Sequence, residues 1–141
     1  MIRTFVIKAE PQGKARPRFA RTRNGVVTFT PQKTKDFEEV VRAAYLEKYS
    51  KLGLDPIDKA VQVSIRAKFT IPKSWNKKKR EQALKGYLYP TKKPDVDNIA
   101  KAICDALNGL AYKDDCQVVE LILKKGYAEE GYISVYIQEV E

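Results

Sequence analysis

The chain contains no histidine in 141 residues. That absence excludes a Ser-His-Asp relay, a Cys-His pair, an HNH-type histidine base and any histidine zinc site. Thiols are nearly as scarce. Cys104 and Cys116 are too few for a disulfide framework or a four-cysteine zinc site, and they read as free thiols in a reducing compartment. No apolar run approaches the length of a membrane span, and Met1 to Ile7 is too short for a signal core. A cytoplasmic protein with no membrane partner is the expectation.

Negative charge is the next shortage. Lys and Arg number 27 against 18 Asp and Glu, a formal net charge of +9, which favours a polyanionic partner such as nucleic acid. From Pro11 to Lys35 there is no acid, yet Lys14, Arg16, Arg18, Arg21, Arg23, Lys33 and Lys35 fall there. Between Lys59 and Pro94 the only acid is Glu81, while Lys73, Lys77, Lys78, Lys79 and Arg80 stand among ten cations. The carboxyl-terminal part reverses sign. Such segregation suggests a binding face, and Lys14, Arg16, Arg18, Arg21, Arg23, Lys73, Lys77, Lys78, Lys79 and Arg80 are its candidate DNA contacts.

Periodicity predicts a two-layer α+β domain over residues 1–141, with a mixed sheet and helices mainly on one face. Strands are expected at Arg3–Ala9, Ala60–Ile71, Gln117–Lys124 and Tyr132–Gln138. Arg18–Arg23 and Val26–Thr30 flank Asn24-Gly25, a two-residue hairpin signal whose turn positions need positive φ. Thr30-Pro31 is read as the start of a helix reaching Tyr49, and Ser74 as the cap of a short basic helix ending near Lys85. In Ala60–Ile71 the odd positions are apolar and the even ones polar, so one face is core and the other wet. A turn is expected from Gly126 to Gly131. Ile99, Ala102, Ile103, Ala106, Leu107 and Leu110 mark a further helix, starting near Asp97 or Asn98 and stopping at Asn108-Gly109.

The chemistry concentrates at Lys93-Pro94-Asp95-Val96-Asp97-Asn98-Ile99-Ala100-Lys101. Asp95 and Asp97 lie beside the positive end of a helix, and Lys101 projects from the same side one turn on. An acidic knot inside a basic surface repels polyanions unless a divalent cation bridges carboxylate and phosphate oxygens. Helix capping by Asp97, with Asp95 solvated, is the competing explanation. Asp114 and Asp115 end a later loop, where side chains converge at a sheet edge. Asp105 reads as a salt-bridge partner of Lys101. Phe19, Trp75 and Tyr112 are candidates for base stacking.

The stretch Lys93 to Lys101, with Asp105-Ala106-Leu107-Asn108-Gly109 and Tyr112-Lys113-Asp114-Asp115-Cys116-Gln117-Val118-Val119, resembles the signature of the RusA family of Holliday-junction resolvases. Lys14 to Phe19 and Pro72 to Trp75 are similar to looser features of phage and prophage members. The resemblance implies a homodimeric endonuclease that cuts four-way DNA junctions with Mg²⁺, or with Mn²⁺ in its place, in recombination and repair. It also implies Asp95, Asp97 and Asp115 as metal ligands, with Lys101 as the essential lysine. Two other readings compete with it. One is a non-catalytic nucleic-acid-binding module. The other is a Mg²⁺-dependent nuclease preferring flaps or linear duplex.

Overall fold

The computed structural model describes residues 1–141 as a mixed α+β fold. A four-stranded sheet is built from β1 (Ile2–Ile7), β4 (Val61–Thr70), β5 (Val118–Ala128) and β6 (Tyr132–Glu139) in the order β1-β6-β4-β5. β1 and β4 each run antiparallel to β6, whereas β5 runs parallel to β4. A parallel neighbour needs a crossover, and residues 71–117 supply it with α2 (Lys77–Leu84) and α3 (Val96–Ala106). β2 (Arg18–Thr22) and β3 (Gly25–Phe29) form a separate hairpin before α1 (Gln32–Tyr49).

Alternation in the strands sets the core. Val61, Val63, Ile65 and Ala67 of β4 join Phe5 and Ile7 of β1 and Ile133, Val135 and Ile137 of β6 on one buried face. Phe37, Val41 and Tyr45 of α1 and Ile99, Ile103 and Leu107 from the α3 segment cover it. The helix periodicity and the strand periodicity therefore meet in one apolar layer. α2 lies apart, packed against the β5 edge.

Several local details differ from what the sequence suggests. The hairpin turns on Arg23-Asn24, because Thr22 pairs with Gly25; only Gly25 has positive φ, at 117°. Gly25 is the first residue of the returning strand rather than the second of the turn. Pro31, not Thr30, precedes the first turn of α1, and no side chain caps it. Asn76 displaces Ser74 as the cap of α2, its side-chain oxygen accepting from the Lys79 N–H at 2.9 Å. β5 continues through Gly126 to Ala128, so the reversal is confined to Glu129–Gly131. The Lys68 side chain lies over Gly126 in that strand, its Nζ 2.7 Å from where a Cβ on the glycine would stand.

Arg3 occupies a position that alternation reserves for core. It is 2% exposed on the buried side of β1, where its guanidinium donates to the Tyr45 hydroxyl at 2.8 Å, the Asp55 carbonyl at 2.7 Å and the Ala111 carbonyl at 3.3 Å. It thereby ties the amino-terminal strand to the loop that leads to Asp114 and Asp115. That loop is also held from below. The Tyr112 hydroxyl donates to the Cys104 carbonyl at 2.7 Å, and the Gln117 amide donates to the carbonyls of Ile57 and Lys59. A buried polar frame of this kind rigidifies a segment when its members are satisfied.

Candidate active site

α3 begins at Val96, with Asp95 in the cap position and Asp97 in the first turn. Asp95 does not cap. Its side chain accepts no bond from the helix, although its carbonyl accepts from the Ile99 N–H at 3.1 Å, and neither the Asp95 nor the Asp97 carboxylate has a hydrogen-bonding or ionic partner in the protein. Both are exposed beside the positive end of the helix, whose first N–H groups have no partner within it. Capping by Asp97 is not what the helix uses.

The amino-terminal loop docks on this helix start. The Lys14 N–H donates to the Asn98 carbonyl at 3.0 Å, and the Ala15 N–H to the Thr34 hydroxyl at 3.2 Å. Gly13 permits the approach, since a Cβ there would stand 2.9 Å from the Pro94 Cβ and 3.1 Å from the Asn98 Cβ. The result is a groove of about 560 Å³ whose walls include Arg16, Lys33, Lys93 and Asp95. Acid and base thus line one open groove. Gly13→Val is expected to push the loop off α3, destabilising the fold by about 1–3 kcal/mol and weakening DNA binding about tenfold. Thermal melts and a binding isotherm check this, and unchanged binding would refute the loop's role.

Down the same side of α3, Lys101 pairs with Asp105 at 3.6 Å. Asp105 also receives the Lys14 ammonium at 3.3 Å, and Lys14 is shared with Glu38. Burial disfavours that ammonium, yet the Glu38 and Asp105 carboxylates outweigh it and hold its pKa above the ordinary value. Lys14 is therefore a strut between the loop, α1 and α3 that also lines the groove, its ammonium already shared by two carboxylates.

Asp115 meets this network from the other side. It opens a short 3₁₀ turn, Asp115–Gln117, that Asp114 caps through the Cys116 N–H while Gln117 bonds back to the Asp114 backbone. Asp114 is committed to that turn, leaving Asp115 to face α3. The Asp105 carboxyl within hydrogen-bonding reach raises the Asp115 pKa, burial and the Asp105 and Asp114 charges add to the rise, and Lys101 opposes it. A raised carboxylate pKa means stability is present below the unfolded value of 3.8 and declines as pH rises through the folded one. In chelator, Asp115→Asn is accordingly expected to melt above the parent at pH 7 and to match it below about pH 4. A variant that melts lower at pH 7 would contradict the like-charge contact.

Two acidic pairs thus mark α3, Asp95/Asp97 at its start and Asp105/Asp115 near its end. About 12 Å of helix rise separates Asp97 from Asp105. No three acidic or thiol side chains stand close enough together to form a ready cage for an ion. Their chemistry nonetheless fits a hard divalent cation, being all-oxygen, anionic and, at Asp105/Asp115, in mutual repulsion. Asp105 is the residue that sequence reasoning left outside the site. Its spacing from Asp97, eight residues or two helical repeats of four, is the signal that places it on that side.

The remaining candidates divide. Arg18, Arg21 and Arg23 lie on the exposed hairpin with Phe19, and Lys73, Lys77 and Lys78 are exposed around α2. Lys79 instead sits 4.1 Å over the Trp75 ring, and Arg80 is paired with Glu129. Trp75 packs edge-on against Tyr127 and is half-buried, Tyr112 is fully buried, and Phe19 is the most exposed of the three aromatic candidates.

This arrangement, a basic groove beside unpartnered carboxylates on a helix between parallel strands, suits an enzyme acting on phosphodiesters. Residues 8–138 match the family described as Endodeoxyribonuclease RusA, and the chain belongs to that family. It is also 42% identical over 140 residues to a Bacillus subtilis (strain 168) protein named "Uncharacterized protein YqaN", covering 96% of this chain and 95% of that one. No helix is long and apolar enough to cross a membrane.

Proposed function

We propose that the protein is a Mg²⁺-dependent, structure-selective endonuclease that resolves four-way DNA junctions in recombination and repair, acting as a homodimer. Asp95, Asp97 and Asp115 are the ligands in this reading, with Mn²⁺ as an alternative ion. The three do not stand together as a ready cage and Asp115 lies against Asp105, so the ion has to draw them together. The observation that carries the proposal is the state of Asp95 and Asp97, exposed at a helix start with unpaired carboxylates, Asp95 lining a groove together with Arg16, Lys33 and Lys93. Carboxylates left free in so basic a setting are matched to a cation and a phosphate together.

Mg²⁺ held there supplies Lewis acidity and a lowered pKa for water, the role a histidine base fills elsewhere. The chain's own groups do the rest. Arg16 and Lys33 align the strand by backbone contact, and Lys101, released from Asp105, offsets charge developing on the scissile phosphate. In-line attack would leave a 5′-phosphate and a 3′-hydroxyl. A two-fold dimer sets two such sites on opposing strands of a symmetric junction, the geometry that paired nicking needs.

The test compares a synthetic four-way junction, a flap and a linear duplex under Mg²⁺ and under excess chelator. Preferential paired cutting of the junction that chelator abolishes is the expected result. Preference for flap or duplex would reassign the substrate while leaving the chemistry intact.

A further inference from the structure

The sheet face away from α1 and α3 carries a second basic feature, at the β5 edge. Arg66 of β4 and Lys124 of β5 are register partners in parallel strands, so two cations project side by side from one face. Lys68 follows Arg66 by two residues on that face and is half-buried, its ammonium lying across Gly126. α2 and the turn after it close a pocket of about 240 Å³ over these cations, with Leu84 and Tyr89 in its wall. No carboxylate lines it. None of the three cations has a hydrogen-bonding or ionic partner, although Glu10 and Glu129 at the strand ends are engaged by Thr70 and Arg80.

Like charges set opposite one another across strands are destabilising, as Arg66 and Lys124 are, and Lys68 beside them is also half-buried. A fold that converges three of them with no carboxylate beside them has a use for an anion there. The adjoining residue Lys125 reaches the other way, its ammonium donating to the carbonyls of Lys92 and Pro94 in the lead-in to Asp95. The edge strand β5 is thus the ridge between the acidic groove and this pocket.

We propose that Arg66, Lys68 and Lys124 form a second phosphate-binding pocket, which takes backbone phosphates of a DNA segment running over β5 away from the acidic groove. The inference rests on DNA as the substrate, but not on four-way geometry or on metal. The phosphoryl chemistry is shared with free phosphate, so the experiment separates the two sources.

Binding of a linear 20-bp duplex and of a four-way junction is measured against salt in excess chelator, where no cleavage intervenes. Arg66→Gln/Lys124→Gln is expected to lower the slope of log affinity against log salt by about 2 on both DNAs. Lys51→Gln/Lys59→Gln, an equal charge loss on exposed residues elsewhere, is expected to leave the slope nearly unchanged. Lys68→Gln should lower the slope by about 1 while the free protein melts no lower than the parent, a combination that a purely structural lysine would not show. Equal slopes for the pocket and control doubles would overturn the proposal. So would perturbation of the Gly126 and Tyr89 amide signals by inorganic phosphate with the DNA slope unaltered, since the pocket would then serve free anions only. Because every reading is equilibrium binding, these outcomes stand whether or not the protein resolves junctions.

Discussion

Asp97→Asn is expected to reduce junction cleavage by about 10³-fold or more, the equivalent of losing roughly 4 kcal/mol of transition-state stabilisation, while junction binding is retained or strengthened. Asp97 has no internal partner in the free protein, so its amide replacement breaks no contact that holds the fold. It also removes a negative charge two residues from Asp95, which lines the cation-bearing groove, and so lessens repulsion of the phosphate backbone. Loss of chemistry without loss of binding separates the enzyme from a binding module whose acids only finish a helix. Single-turnover cleavage and a gel-shift isotherm on the same junction give both quantities. A variant that cuts at the parental rate would remove Asp97 from the site.

Arg3→Met carries the second large effect, on stability. The substitution keeps a long apolar stem in the core layer but withdraws donors from the Tyr45 hydroxyl and the Asp55 carbonyl, and the second bond from the Ala111 carbonyl. Charged hydrogen bonds contribute about 1.5–3 kcal/mol each, and orphaned buried acceptors add to the loss. Two features moderate it. The Ala111 carbonyl still accepts from the Ile57 N–H at 2.9 Å, and Arg3 already carries a buried Nε with no partner. A net loss of about 2–4 kcal/mol is expected, read as a lower denaturant midpoint with an unchanged slope. Cleavage by the folded fraction should fall too, because the same guanidinium anchors the segment that delivers Asp115. A variant as stable as the parent would show that this buried charge is dispensable.

The parts of the molecule that were legible in its sequence are those decided by local pattern. α3 and β4 announce themselves through unbroken periodicity, and the acid motif falls on α3 because Pro94 and Asp95 stop the chain from being helical any earlier. The mixed sheet with helices over one face follows from the same alternation. Errors gather where the outcome depends on a distant partner. Asn24-Gly25 shifts by one residue because strand register, not turn chemistry, positions Thr22 opposite Gly25. Gly126 stays in a strand because its register with Lys68 of β4, fifty-eight positions earlier, continues the parallel ladder.

The site shows the same division. Asp95 and Asp97 are neighbours in sequence and remain so in space. The sharing of Lys14 by two carboxylates and the meeting of Asp105 with Asp115 are tertiary facts, created when the amino-terminal loop and the loop before β5 close on opposite ends of α3. A string of cations looks alike in sequence whether it faces solvent or clasps a carboxylate. Lys14 and Arg80 belong to the second kind, Arg18 and Arg21 to the first.

Whether three aspartates from two loci act on one ion is answered most directly by titrating Mn²⁺ into the parent bound to an uncleavable junction, and into Asp95→Asn, Asp97→Asn and Asp115→Asn. The account predicts that each substitution weakens Mn²⁺ binding about tenfold or more, Asp115→Asn included. Parental affinity in Asp115→Asn would contradict it, leaving the ion to the Asp95/Asp97 pair alone.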